Sequence, residues 1–396
     1  MVTSMSHVLP LTREEALCRL AEFLPFAGSA YTKERNHDLG SFRQNTVSGL
    51  SAAIRRRMIT EREVVDAVIR HHGPLEVEKF LQEVCWRSYW KGWLEQRPEI
   101  WSRYKHALCQ HHEELSHSSG LTERVARARS GETGLTCFDA WSKELRDTGT
   151  LHNHTRMWTA SIWVHTLGLP WELGAECFLY HLLDADPASN TLSWRWVAGL
   201  HTRGKSYQAR ASNIRQCTNG RFSPGPEVEA RFPASSFQEP PPLQPFRAPA
   251  DDRLPATVLV LCPEDWALDL PSGLRDQVEQ VYLLTMEEEE AEGLSSSLVR
   301  RAEDRCLEDA GKVWAQAGHV RVVTCREFQT LWAEELASVP VRMPWVPVGH
   351  WHDRLRLIWK DVEPLWYLRE WDKSAWPHAK KGFFGFWKTF RASLHA

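Results

Sequence analysis

Leu183-Asp184-Ala185-Asp186-Pro187-Ala188-Ser189-Asn190-Thr191-Leu192-Ser193-Trp194-Arg195-Trp196-Val197-Ala198-Gly199 sets two carboxylates, one amide and two indoles inside 17 residues. Little aliphatic filling separates them. A segment built only for packing would not spend its positions this way, because polar groups buried beside tryptophan cost stability unless each is matched to a partner. The run therefore predicts a surface facing a large, flat ligand with polar edges.

Two further faces carry the same chemistry. Glu83, Trp86, Arg87 and Trp90 stand at i, i+3, i+4 and i+7, so one helical face presents an acid, a guanidinium and two indoles. Asn153, Arg156, Met157 and Ala160 share another face, bracketed by His152 and His154. Taken alone, the first face is explained somewhat better by an Arg–Glu pair among packing indoles. The His-x-His pair lacks a third ligand nearby, so no metal site is expected. With the 183–199 run, the two faces predict a composite pocket.

Working outward, the segments 11–23, 48–57, 61–71, 75–95, 122–129, 138–148, 154–167 and 172–183 show apolar spacing near 3.6, punctuated by Gly73-Pro74, Gly131, Gly149 and Gly168. Residues 1–221 thus read as an all-α domain. Nine of the 22 prolines fall in 222–256, which reads as an extended linker. Beyond it, apolar runs at 257–261, 281–285 and 320–324 alternate with helical patterns at 294–317 and 327–336. Residues 257–396 therefore read as a small parallel α/β domain with an aromatic, basic helical tail from 351 to 390. No phosphate-binding glycine fingerprint follows any of these strands. The predicted class is α plus α/β.

Composition narrows the function classes. The nine cysteines are scattered singly, without a C-x-x-C pair, which argues for reduced thiols in a cytoplasm and against disulfides, zinc or an iron–sulfur cluster. No apolar run is long enough for a membrane span. The first ten residues lack a basic-then-apolar leader, so secretion is not expected. Net charge is −3, divided as +3 over residues 1–250 and −6 over 251–396. Between Pro187 and Pro226 six basic residues, Arg203 and Lys205 among them, meet no acid; such a stretch suits either a phosphate backbone or a solvated loop. The 20 tryptophans are the outlier, most of them read as core.

The ordered motifs resemble the photolyase/cryptochrome family. The 183–199 run is similar to its D-x-D-x-x-x-N-x-x-x-W-x-W stretch, Glu83-Val84-Cys85-Trp86-Arg87 to E-L-I-W-R-E, Thr133-Gly134 with Asp139-Ala140 to T-G-Y-P-x-V-D-A, and His152-Asn153-His154-Thr155-Arg156-Met157 to H-N-R-x-R-M. The resemblance runs from about Tyr31 to Tyr207 and implies a helical FAD-binding domain. It assigns the FAD pyrophosphate to Ser48, Leu50 and Ser51, with Arg87 and Tyr31 near the phosphates. Arg156 and Asp184 would pair beside the isoalloxazine, Asp186 would meet its polar edge and Asn190 its N5, where asparagine is the photolyase choice. Trp194 and Trp171 match the first two members of the chain that reduces the flavin in light. Glu83, Trp86, Asn153, Met157 and Trp196 match residues around a flipped pyrimidine dimer. The implied function is light-dependent dimer repair in DNA, with a preference for single-stranded or locally open substrate. The rivals are a cryptochrome-like photoreceptor and a scaffold without flavin.

Departures accompany the likeness. Val47, Ala52 and Arg57 replace the usual Thr, Pro and Gly of the phosphate loop, and Ser88 stands where an acid is common. Ala128 takes the distal tryptophan position, for which Trp141, Trp158 or Trp163 would have to substitute. The α/β texture follows the helical region instead of preceding it, as though the family's order were exchanged.

Overall fold

The computed structural model describes residues 9–40, 46–249, 255–359 and 363–394. Most of them are helical, with one small parallel sheet. The chain forms two compact units, each drawn from separate stretches: the first from Phe26–Val47 and Arg97–Pro242, the second from Leu9–Pro25, Ser48–Gln96 and Leu243–Ala396.

In the first unit the helices Trp171–His181 and Pro187–Val197 carry the 183–199 run. Between them the chain must turn, and the sequence supplies the means. Asp186 is extended (φ −121°, ψ 121°) and its Oδ1 accepts the Ser189 N–H at 2.8 Å, capping the second helix, while Pro187 fills the first helical position where no N–H is needed. Leu183 N–H donates to the Gly149 carbonyl at 2.9 Å, tying the turn to the end of the helix Thr136–Thr148. The two helices approach so closely that a Cβ on Gly174 would sit 2.4 Å from the Trp194 ring. Only glycine fits there.

The segment 222–249 is irregular apart from a short turn of helix at Pro226–Val228. Its part in the first unit lies along the helices. Arg231 and Phe232 N–H both donate to the His165 carbonyl, and Ser235 N–H to that of Ala198. Residues 250–254 of the expected linker lie outside the described residues.

The second unit holds five parallel strands: β1 (Val258–Leu261), β2 (Gln280–Thr285), β3 (His319–Thr324), β4 (Val341–Pro344) and β5 (Leu365–Tyr367), in the order β3-β2-β1-β4-β5. Val258 pairs with both Gln280 and Val341, so β1 is central. Both faces of a parallel sheet are covered, which is why β1 is apolar throughout instead of alternating. Val258 and Val260 face a core with Phe328, Trp332, Trp351 and Trp359. The tail is helical as expected over His350–Trp359 and Phe383–Phe390, but β5 interrupts it.

Neighbouring connections from β1 lead to opposite sides, toward β2 and β4, and the carboxyl ends of such strands are the usual ligand crevice of open α/β sheets. Here that end is filled by ion pairs. Glu264 takes both Arg55 amino groups (2.6 Å to Oε2), and Arg369 bonds Asp265 (2.6 and 2.7 Å) and Asp269 (2.6 and 2.7 Å). Burial opposes the charge on Asp265, yet Arg369 outweighs it and holds the carboxyl below its ordinary range. Next to this network Arg57 bonds Glu61 and, at 2.9 Å, Asp372.

One buried carboxylate makes stability pH-dependent. Glu95, the last residue of the helix Glu78–Glu95, accepts Val348 N–H at 2.7 Å and Trp345 Nε1–H at 3.2 Å. Burial pushes its pKa up to about 7, against the pull of these bonds and of His352 and Lys91. The folded protein therefore holds a proton that the unfolded chain has released. This contribution is whole below the ordinary value of 4.5 and is lost as pH rises through about 7. Thermal melts should show wild type losing about 2 kcal/mol between pH 5.5 and 8.5. Glu95→Gln should lose distinctly less, and equal losses would refute the assignment.

Candidate functional site

The first unit gathers most of the flavin-ring residues expected from the sequence. Arg156 Nη2 reaches both Asp184 oxygens at 3.0 Å, and its Nε donates to the Leu151 carbonyl at 2.9 Å. The guanidinium is thus held from two sides while Asp184 is 6% exposed. A charge-assisted pair of this kind holds its geometry. Asp186 is buried and serves as the helix cap. Asn190, in the same helix, donates an Nδ2 hydrogen to the Ala175 carbonyl at 2.8 Å, which fixes the orientation of its amide. Asp184 and Asn190 thus share one turn-and-helix segment, with Arg156 bonded to the first, a donor and acceptor set whose chemistry fits the polar edge of a flavin ring. Tyr31 is buried in this unit as well.

Trp194 is buried edge-on to Phe178 (5.0 Å, 85°) and to Trp163 (6.3 Å, 88°). Trp171 meets Tyr104 at 5.6 Å, and Tyr104 meets Trp101 at 5.3 Å. Ala128 is buried in the helix Ser119–Ser130. Of the three indoles named as substitutes, Trp163 touches Trp194, whereas Trp141 and Trp158 stack on each other at 5.5 Å.

The expected lesion-side residues of this unit lie at its surface or half-buried. Asn153 is exposed at the start of the helix Asn153–Ser161, Met157 follows one turn later, and Trp196 stacks on Tyr207 at 5.8 Å. Arg203 and Lys205 are exposed on a tight turn closed by Lys205 N–H to the Thr202 carbonyl. Among the described residues three of the six cations in this stretch are engaged within the unit: Arg195 is buried over Trp171, Arg203 bonds Glu239 at 3.3 Å and lies over Phe237, and Arg221 bonds Asp38 at 2.6 Å. His152 is buried, which pulls its pKa down to about 4, so the ring is neutral at pH 7; its Nδ1 accepts the His154 N–H. Among the described residues no group of three His, Cys, Asp or Glu is placed to hold a metal, and no helix is long and apolar enough to cross a membrane.

The second unit holds the other expected residues. Ser48 Oγ accepts Leu50 N–H at 3.3 Å, its carbonyl accepts Arg19 Nε–H at 2.7 Å, and Arg87 Nη2 donates to the Ser51 carbonyl at 3.4 Å. Ser48, Leu50, Ser51 and Arg87, expected at the phosphates, are therefore neighbours. Glu83 and Trp86 are half-buried on the helix Glu78–Glu95. Trp86 stacks face to face on Phe383 (3.8 Å, 10°).

Several departures from the family pattern now have partners. Arg57, at φ 54°, occupies the left-handed conformation that a glycine would adopt without strain. Ser88 accepts Trp371 Nε1–H at 2.7 Å. Asp139, part of the T-G…D-A motif, fastens the loop before its own helix, since its two oxygens take Thr133 N–H, Thr133 Oγ–H and Gly134 N–H at 2.6–2.9 Å. Sequence reasoning missed Asp38 and Tyr104. Asp38 is 2% exposed and bonds Thr155 Oγ1, 117 residues away, a separation that leaves no local signal.

Residues 80–221 match the family model described as the FAD binding domain of DNA photolyase. The chain is 31% identical to a deoxyribodipyrimidine photo-lyase of Streptomyces griseus, over 43% of this chain and 39% of that one. It is 28% identical to another from Buchnera aphidicola, over 51% and 42%. It thus spans about two-fifths of the length of these relatives. A bacterial class III photolyase of known structure, from Agrobacterium tumefaciens, is 28% identical over 47% of this chain and 37% of its own, with a TM-score of 0.38. FAD is the cofactor of the matched domain, so residues 80–221 are similar to the FAD-binding domain of the photolyase/cryptochrome family.

Proposed function

We propose that the protein is a light-dependent flavoenzyme that repairs pyrimidine dimers in DNA, with single-stranded or locally open DNA as the favoured substrate. The observation that carries the reading is the Arg156–Asp184 pair with Asn190 on the segment that runs into Trp194 and Trp196. Bound reduced FAD would supply the electron that light drives to the lesion. Asp184 and Arg156 orient the ring edge and fix its charge environment, Asn190 addresses N5, and Asp186 holds the helix that carries them. Ser48, Leu50, Ser51, Arg87 and Tyr31 are proposed phosphate contacts. Trp194 and Trp171 would return the flavin to its reduced state.

On the substrate side, Glu83 and Asn153 would pair with base edges, with Met157 and Trp196 giving apolar and stacking contact. A dimer is already poorly stacked, so extruding it costs little. Arg203 and Lys205 would meet phosphates. A rival reading, a photoreceptor without repair, draws support from Phe383, which covers the Trp86 face that a base would need.

One preparation separates them. The purified protein is expected to be yellow. Reduced and illuminated with UV-damaged oligothymidine, it should restore thymine absorbance well above a dark control. A flavin-loaded protein that restores none would leave the photoreceptor reading in place of repair.

A further inference from the structure

The C-terminal segment 373–394 presents a surface that none of the expected roles uses. Its helix Phe383–Phe390 has two faces. Phe383, Phe386, Trp387 and Phe390, at i, i+3, i+4 and i+7, are buried, and Phe383 lies on Trp86. Phe384 points the other way and is 73% exposed. Lys388 stands one turn further along the same face and Arg391 just beyond, while Lys380 and Lys381 precede the helix; all four cations are exposed. Residues 373–394 hold five Lys or Arg and no acid, in a chain whose net charge is −3.

Packing does not account for Phe384, because four aromatic side chains already fill the inner face. A bare ring flanked by cations matches one chemistry well: a strand whose unpaired bases offer π-faces and whose phosphates offer negative charge. Arg391 is only loosely engaged, 3.6 Å from Glu78 with both side chains well exposed, so a phosphate can compete for it. The inner face of the same helix rests on Trp86, so a strand on the outer face would lie about one helix diameter, roughly 10 Å, from that indole.

We propose that this face docks single-stranded DNA, with Phe384 stacking on a base and Lys380, Lys381, Lys388 and Arg391 meeting the backbone. The inference rests on the reading of the protein as one that acts on DNA, and gives that DNA an attachment point outside residues 80–221.

The test is binding of labelled, undamaged oligothymidine to the full chain in the dark, followed by anisotropy, so that neither flavin chemistry nor repair enters the result. Phe384→Ala should weaken binding about tenfold. Lys380→Ala/Lys381→Ala/Lys388→Ala should weaken it at least as much and flatten the slope of log affinity against log salt by about 2. Both variants should melt like the parent, since the altered side chains are exposed. The proposal is overturned if the parent does not bind, or if both variants bind as the parent does. It is also overturned if Phe384→Ala changes only attachment to phosphatidylserine-containing vesicles, which would make the face a lipid contact. A parent that binds through Phe384 yet repairs nothing would sink the repair reading and leave the platform standing.

Discussion

Arg57→Gly should destabilise the protein by about 2–3 kcal/mol net, even though it places at φ 54° the residue that suits that backbone. The two effects oppose each other and differ in size. Glycine relieves about 1–2 kcal/mol of left-handed strain. Arginine in that place neutralises Glu61 and Asp372, which are 1% and 5% exposed. Without the guanidinium both carboxyls stay buried and lose this counter-charge, a penalty of about 3–5 kcal/mol that outweighs the relief. The midpoint of thermal unfolding should fall by roughly 5–10 °C. Arg57→Gly/Glu61→Gln/Asp372→Asn should recover a good part of the loss, because neutral amides remove the stranded charges. A single variant as stable as the parent would show that the pairs contribute nothing.

Asp184→Ala should release the flavin. The substitution leaves Arg156 held by the Leu151 carbonyl but without the Asp184 counter-charge, and removes the oxygen pair proposed to set the ring edge. Losing a charge-assisted contact of this kind costs about 2–3 kcal/mol, which is a roughly 30- to 150-fold weaker hold on FAD. Purified protein should carry much less flavin per chain than the parent, and a titration with added FAD should recover yellow protein only at high concentration. Asp184→Asn, which keeps the shape, should fall between the two. Full flavin content in Asp184→Ala would refute the placement of this carboxylate at the cofactor.

Most helices and the first three strands were legible because their signals are local. Apolar spacing, capping residues and glycine punctuation act over a few neighbouring residues, and the turn at Leu183–Asp186 follows from Asp186 and Pro187 alone. The strands β4 and β5 gave no such signal. β4 contains Arg342 and ends in Pro344, and β5 is three residues long at the sheet edge. The Arg156–Asp184 pair was legible only through the resemblance, since nothing local relates residues 28 positions apart. The departures were legible as departures, but not for what they do. Arg57, Ser88 and Trp86 each contact a residue between 371 and 383, and the first two of those contacts bridge 315 and 283 positions of sequence. At two of the altered positions, Arg57 and Ser88, a new partner lies in the segment that the pattern does not include.

The second unit joins Leu9–Pro25 and Ser48–Gln96 to Leu243–Ala396, and this has a consequence for the birth of the chain. When residue 96 leaves the ribosome, its partners have yet to be made. At about 5–20 residues per second the wait for residue 243 is roughly 7–30 s, and the edge strand β5 and the Phe383 helix come later still. Through that interval the helix Glu78–Glu95 carries Trp86, Trp90 and Trp93 without the C-terminal aromatics that cover Trp86 in the finished fold. A nascent chain in that condition is a natural client for a chaperone that shields aromatic surface. A ribosome stalled near residue 250 would display a sticky, half-built protein.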